Sequence, residues 1–318
     1  MAKELNDAFR RQPNGLTNFL HRRPMLVEIQ DVVTGTIANP MTGTNTTVRT
    51  PLAEVLQTTR KVGTSGDVGV LAAQVMYCDF ERYDVINNAQ GTPRSRPRLV
   101  IPTIDFTPGI SKVPMYYLPW KEDKRFTMSL GDKADYFMTA GMHGCKFEVN
   151  HDAVSGKTIV SHTNVQPMAP AQGQGNVFVQ DHVRDGLERL TDEDSFANQC
   201  PTVLSFGKVS YFWDAIRESG RIHGHMQGLG VQPHEIVDSS PSGYQANVVG
   251  QRVGGQWSFY YQLTLAVTCS LSEKVKGKKW LGLKTTWNEQ KRQALVDVVV
   301  AVKKIWPGPV VDVPLGTD

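Results

Sequence analysis

Residues 134–165 read ADYFMTAGMHGCKFEVNHDAVSGKTIVSHTNV, and this stretch decides the fold. Ala134 to Val149 is the richest segment, and Thr158 to Val165 follows as a second apolar and β-branched run. Between them stands NHDAVSGK, a cluster of turn-forming residues. The pattern is strand, loop, strand. A symmetric loop over 150–157 centres the hairpin between Ala153 and Val154, which sets Cys145 directly opposite His162. Phe147 then pairs with Val160, and Val149 with Thr158. Lys146 and Glu148 share the other face with Ser161 and Ile159. The Cys145 face is the more apolar and is the one expected to meet the core.

Working outward, strands are expected at Val68–Tyr83, Arg98–Phe106, Val113–Leu118 and Arg125–Leu130. Tyr244–Gly250 and Gln256–Ser270, joined through RVGG, make the clearest second hairpin. Lys279–Thr286 adds one more strand. Helical spacing is read at Val179–Leu190 and at Asn288–Ile305, the latter with Leu295, Val296, Val299, Val302 and Ile305 along one side. Residues 34–50, 166–176 and 219–244 read as loops. Runs of strands with few helices predict an α+β fold, a mostly antiparallel β-sandwich core flanked by helices and long loops. Residues 1–60 read as an N-terminal arm, partly flexible, and 61–318 as a single domain.

The 318 residues carry 34 Lys+Arg against 31 Asp+Glu, a net charge of +3, which gives no electrostatic argument for nucleic acid. No apolar run reaches the roughly 18 residues of a membrane span, and the polar N-terminus lacks the apolar segment of a classical signal peptide. The four cysteines, Cys78, Cys145, Cys200 and Cys269, are scattered without CxxC spacing, which argues against a zinc site or disulfide framework. His223, His225 and His234 share one region, but no acidic or cysteine spacing completes a metal site. Arg94, Arg96, Arg98 and the KVKGKK run at 274–279 read as solvated basic surface. No metal and no cofactor is implied.

The chemistry therefore falls on Cys145 and His162. Residues directly opposed across an antiparallel pair have Cβ atoms about 4.5–5.5 Å apart, which brings a thiol to an imidazole. An imidazolium lowers a thiol pKa from about 8.5 and favours the nucleophilic thiolate. The same ring then delivers a proton to a leaving group and activates water. Gly144 removes a side chain beside the thiol and leaves room for a substrate or for backbone N–H groups that hold an oxyanion. The histidine needs a third group to fix its tautomer, and Asn164 and a backbone carbonyl are the two candidates.

At Met142-His143-Gly144-Cys145 and His162 the chain resembles the cytotoxic necrotizing factor type of glutamine deamidases, which includes the Burkholderia lethal factor. That family carries Leu-Ser-Gly-Cys at the start of a strand and a histidine on the neighbouring strand. The resemblance covers about 25 residues, and its identities are Gly144, Cys145 and His162. It implies a β-sandwich flanked by helices, and a third catalytic member in a main-chain carbonyl, here that of Thr139. His143 replaces the family's serine and sets a second imidazole near the thiol, either as a competing base or facing Asn164. The implied activity is deamidation of a glutamine side chain in a protein, with a host target such as a Rho-family GTPase or a translation factor. The implied setting is a bacterial toxin or effector, a virulence protein acting in host cytosol without a classical signal; an ordinary cytoplasmic protein is the other setting. Transglutamination or another cysteine hydrolase, such as a peptidase, would use the same pair. The rival from another class is a binding or structural protein with an inert Cys145.

Overall fold

The computed structural model describes residues 2–11, 14–25, 27, 32–38, 45–51, 57–62, 68–83, 99–120, 124–164, 200–228, 236–276 and 287–315. The expected helix at Val179–Leu190, the strand at Lys279–Thr286, the loop at 166–176, the three arginines and His234 lie outside them.

The fold is α+β, and two sheets packed face to face form its core. The six-stranded sheet has the order β12-β10-β11-β8-β4-β3. Its central strands are β8 (Arg125–Leu130), β10 (Lys146–His151) and β11 (Thr158–Thr163), with β12 (Thr202–Phe206) at one edge and β4 (Val68–Leu71) and β3 (Gln57–Val62) at the other. The eight-stranded sheet has the order β16-β15-β14-β13-β9-β7-β5-β6. It is dominated by three long strands: β13 (Ile236–Val253), β14 (Gln256–Lys276) and β15 (Trp287–Trp306). The short β9 (Tyr136–Thr139), β7 (Val113–Leu118), β5 (Met76–Tyr83) and β6 (Leu99–Asp105) continue it, and β16 (Val311–Asp312) closes the far edge. Pairing is antiparallel except at β4–β8 and β7–β9. A separate hairpin joins β1 (Val32–Ala38) to β2 (Asn45–Pro51).

Aromatic side chains stitch the sheets together. Phe147 on β10 meets Phe259 on β14 at 5.5 Å between ring centroids and Phe137 on β9 at 5.9 Å. Phe206 on β12 meets Tyr261 on β14 at 4.8 Å. Contacts of this kind contribute about 0.5–1.5 kcal/mol each beyond their buried area. Gly250 on β13 makes the approach possible, since a Cβ there would stand 2.8 Å from the Phe259 ring and 3.0 Å from Phe137.

Four helices are described: α1 (Ala2–Arg10), α2 (Gly15–Arg22), α3 (Lys208–Ser219) and α4 (Ile222–Gly228). The start of the chain, read from the sequence as an arm, docks through α1 and α2. Phe9 packs on Phe80 at 4.7 Å and on Tyr136 at 5.1 Å, and Asn6 donates to Asp79 and accepts from the Phe80 backbone. Helix α3 is two-sided. Tyr211, Asp214, Ala215 and Glu218 face inward, while Val209, Phe212, Trp213 and Ile216 form an exposed row.

Three expectations are corrected. Residues 288–305 form strand β15 and not a helix. Val296, Val298, Val300 and Val302 are buried with half-buried residues between them, a period of two. The β-branched run suits a strand, and tertiary packing overrides the incidental i, i+3 spacing. Residues 34–50, read as loop, largely form β1 and β2. Residues 219–244, also read as loop, contain α4 and the start of β13.

Candidate active site

The segment from β9 to β10 crosses from one sheet to the other and carries the thiol. Thr139 ends β9 in the eight-stranded sheet, paired with Leu118. Met142 forms a bridge with Ala246 of β13, its amide donating to the Ala246 carbonyl at 2.8 Å. The Gly141 amide donates to Val27 O at 3.3 Å, so the N-terminal segment braces the crossing. Cys145 then stands immediately before β10 in the six-stranded sheet.

The β10–β11 ladder pairs Lys146 with Thr163, Phe147 with His162 and Val149 with Val160. This register differs by two residues from the expected one. Its cause lies in the turn. Asp152 and Lys157 close it through Asp152 N–H to Lys157 O at 3.0 Å. The Asp152 carboxylate accepts from Val154 N at 2.9 Å and Ser155 Oγ at 2.6 Å, and Gly156 takes a φ of +69°, the left-handed conformation natural to glycine. Because the shift is even, every side chain keeps its face. Continuing the register past the ladder's end sets Cys145 opposite Asn164, with His162 at the diagonal position. Diagonal neighbours have Cα atoms about 7–8 Å apart and Cβ atoms somewhat closer.

Asn164 Nδ2 donates to Cys145 Sγ at 3.0 Å. The Cys145 carbonyl accepts from Tyr211 Oη at 3.0 Å, which ties α3 to the thiol's backbone. Cys145 is 2% exposed, while Gly144 beside it is half-buried, and a Cβ at Gly144 would meet nothing within 4 Å. The open space at this point of the chain therefore lies at Gly144, one residue before the buried thiol.

His162 is 2% exposed. Its Nδ1 lies 2.7 Å from Thr139 Oγ1, and that hydroxyl donates to Leu118 O at 3.2 Å. A hydroxyl has one hydrogen. We assign that hydrogen to Leu118, so that Thr139 accepts from His162 and Nδ1 carries the ring proton. Nε2 is left with its lone pair, buried and without a hydrogen-bond partner. Burial without a nearby carboxylate pushes the imidazole pKa down to about 3, so the ring is neutral at ordinary pH.

The structure thus brings Thr139 to His162 and Asn164 to Cys145. It sets Cys145 and His162 on one face without a hydrogen bond between them. Thr139 reaches the ring through its side-chain hydroxyl, where the sequence reading had its main-chain carbonyl. The expected imidazolium is replaced by a neutral imidazole. His143 is exposed, and its Nδ1 donates to the Tyr244 carbonyl at 2.7 Å, so it is tethered to β13. Sequence reasoning missed Tyr211, which reaches Cys145 from 66 positions away with no local signal. Among the described residues, no group of His, Cys, Asp and Glu could hold a metal ion, and no helix is long and apolar enough to cross a membrane.

No family model matches the chain, and no curated protein matches it. Among solved structures the chain is distantly similar to the C-terminal domain of CNFy from Yersinia pseudotuberculosis. The identity is 10%, the TM-score 0.24, and the match covers 92% of this chain and 99% of that one.

Proposed function

We propose that this protein is a cysteine-dependent amidohydrolase that deamidates a glutamine side chain in a target protein. The observation that carries this reading is the Thr139–His162 hydrogen bond, which leaves a buried lone pair on Nε2 on the same sheet face as the Cys145 thiol. In the reaction, Nε2 takes the Sγ proton as the sulfur attacks the carboxamide carbon. The tetrahedral adduct collapses with cleavage of the C–N bond, and His162 returns the proton to the departing nitrogen as ammonia. Water then adds to the thioester with His162 as base, and glutamate and the thiol are released. An amine in place of water gives transglutamination. The resemblance at Gly144, Cys145 and His162 supports a bacterial effector acting on a host regulatory protein.

A second reading is favoured by the burial of Cys145 and its bond to Asn164: an inert thiol in a binding or structural protein. Alkylation of Cys145, resolved from the other cysteines by peptide mass spectrometry, separates the two. The hydrolase reading expects Cys145 to react at least about tenfold faster at pH 7 in the wild type than in His162→Ala. Equal, slow rates in both proteins favour the inert thiol.

A further inference from the structure

The hydrolase reading uses one buried unpaired atom, His162 Nε2, and leaves a second, Asn164 Oδ1, unexplained. His162 Nε2 and Asn164 Oδ1 both lack a hydrogen-bond partner, and His162 is almost wholly enclosed. Most buried polar atoms in folded proteins are paired, so an orphaned atom calls for a reason. His162 lies on β11 and Asn164 one residue past its end, so that the two continue the face that carries Cys145. Asn164 touches the thiol directly through Nδ2. With Nδ1 protonated toward Thr139, Nε2 is an acceptor. Oδ1 is an acceptor by nature. The side chain that touches the thiol therefore carries one unsatisfied acceptor, His162 carries a second on the same face, and a donor already stands on the sulfur.

We infer that Asn164 is a substrate-binding residue, and that the His162–Asn164 pair selects a primary carboxamide over a secondary or tertiary amide. This rests on the reading of Cys145 as the nucleophile. A primary carboxamide nitrogen carries two hydrogens, one for each acceptor. A peptide nitrogen carries one and would leave an acceptor buried and unpaired, with a bulky substituent pointing into the enclosed side. In the encounter complex Nε2 accepts from the carboxamide nitrogen; as attack begins it releases that hydrogen, takes the Sγ proton and returns it to the same nitrogen, while Asn164 Oδ1 keeps hold of the group that must leave. Asn164 Nδ2–H meanwhile supports negative charge on sulfur during attack. Bond changes are those of the first step above: S–C forms, C–N breaks, and the thiol proton leaves on ammonia. The open side at Gly144 is where the rest of the substrate enters.

The test uses the full chain and three probes: iodoacetamide, N-methyl-iodoacetamide and N,N-dimethyl-iodoacetamide. Their Cys145 alkylation rates are divided by their rates with glutathione, which removes intrinsic reactivity. The dimethyl reagent, which has no N–H, should be slowest, and the expected corrected preference for iodoacetamide over the N-methyl reagent is on the order of tenfold, one hydrogen bond's worth. It should be lost in Asn164→Leu, which keeps the side-chain size, and in Asn164→Ala. Thermal unfolding of each variant confirms that the fold is retained. An Asn164→Asp variant, which keeps an acceptor and loses the donor to sulfur, should retain the preference while reacting more slowly overall. No corrected preference in the wild type, with a rate that still depends on His162, overturns the role of Asn164 and leaves the cysteine hydrolase standing. A preference that survives in Asn164→Leu also overturns it. A Cys145 that no reagent labels faster in the wild type than in His162→Ala overturns both.

Discussion

Neighbouring residues of β10 and β11 face opposite sides of one sheet, and both sides bury ionisable groups. On one side Glu148 lies between Arg125 and Lys146, the latter at 3.0 Å, and Arg125 also donates to Thr163 Oγ1 at 3.2 Å. On the other side His162 has a hydroxyl and no carboxylate. The outcomes are opposite. Burial alone would raise the Glu148 carboxyl, but the two cations outweigh it and hold the group below its ordinary range, so the charge stays. Burial acts unopposed on His162, so its charge is expelled. The lesson is that company decides whether a buried group is an ion or a neutral acid or base. One side becomes a compensated charge cluster, and the other keeps a neutral base.

The largest effect comes from breaking the company on the charged side. Glu148→Gln leaves Arg125, with a side chain 3% exposed, facing only one cation and neutral groups. The expected loss is about 3–5 kcal/mol of stability, read from urea unfolding. The conditions on the site side can be broken with acid alone. The His162 pKa is about 3 in the folded chain against an ordinary 6.5, so the unfolded chain binds a proton the folded one refuses. The stability associated with the neutral ring is fully present above pH 6.5 and is lost as pH falls toward 3, by up to about 1.4 kcal/mol per pH unit. His162→Gln should lack this slope between pH 6.5 and 5, whereas a slope equal to the wild type's would assign it to other groups. The smallest change is Thr139→Val, which keeps the shape and removes the hydroxyl. Stability should fall by about 1–3 kcal/mol, because Nδ1–H is left without its acceptor. Cys145 alkylation should slow as the ring loses its fixed tautomer.

Much of this was legible in the sequence, for reasons specific to each element. Arg125–Leu130 and Val113–Leu118 have the expected bounds because apolar runs end at Gly131 and at prolines or charges. The β13–β14 hairpin was marked by Gly254 and Gly255, both with positive φ. The shared face of Cys145 and His162 was legible because an even register shift preserves it. The shift itself was not, since it follows from the hydrogen bonds of Asp152 and the conformation of Gly156, which a symmetric loop count ignores. Strand β15 was misread because Val and Ile at helical intervals also occur in an unbroken β-branched run. The Thr139 hydroxyl and Tyr211 were invisible because only the packing of two sheets and a helix brings them to the site.

The most direct test of the account is the nitrogen NMR spectrum of the His162 ring between pH 5 and 8 in selectively labelled protein. The account predicts one neutral ring throughout, with the proton on Nδ1 and a free lone pair on Nε2. A titration near pH 6.5, or a proton on Nε2, would contradict it.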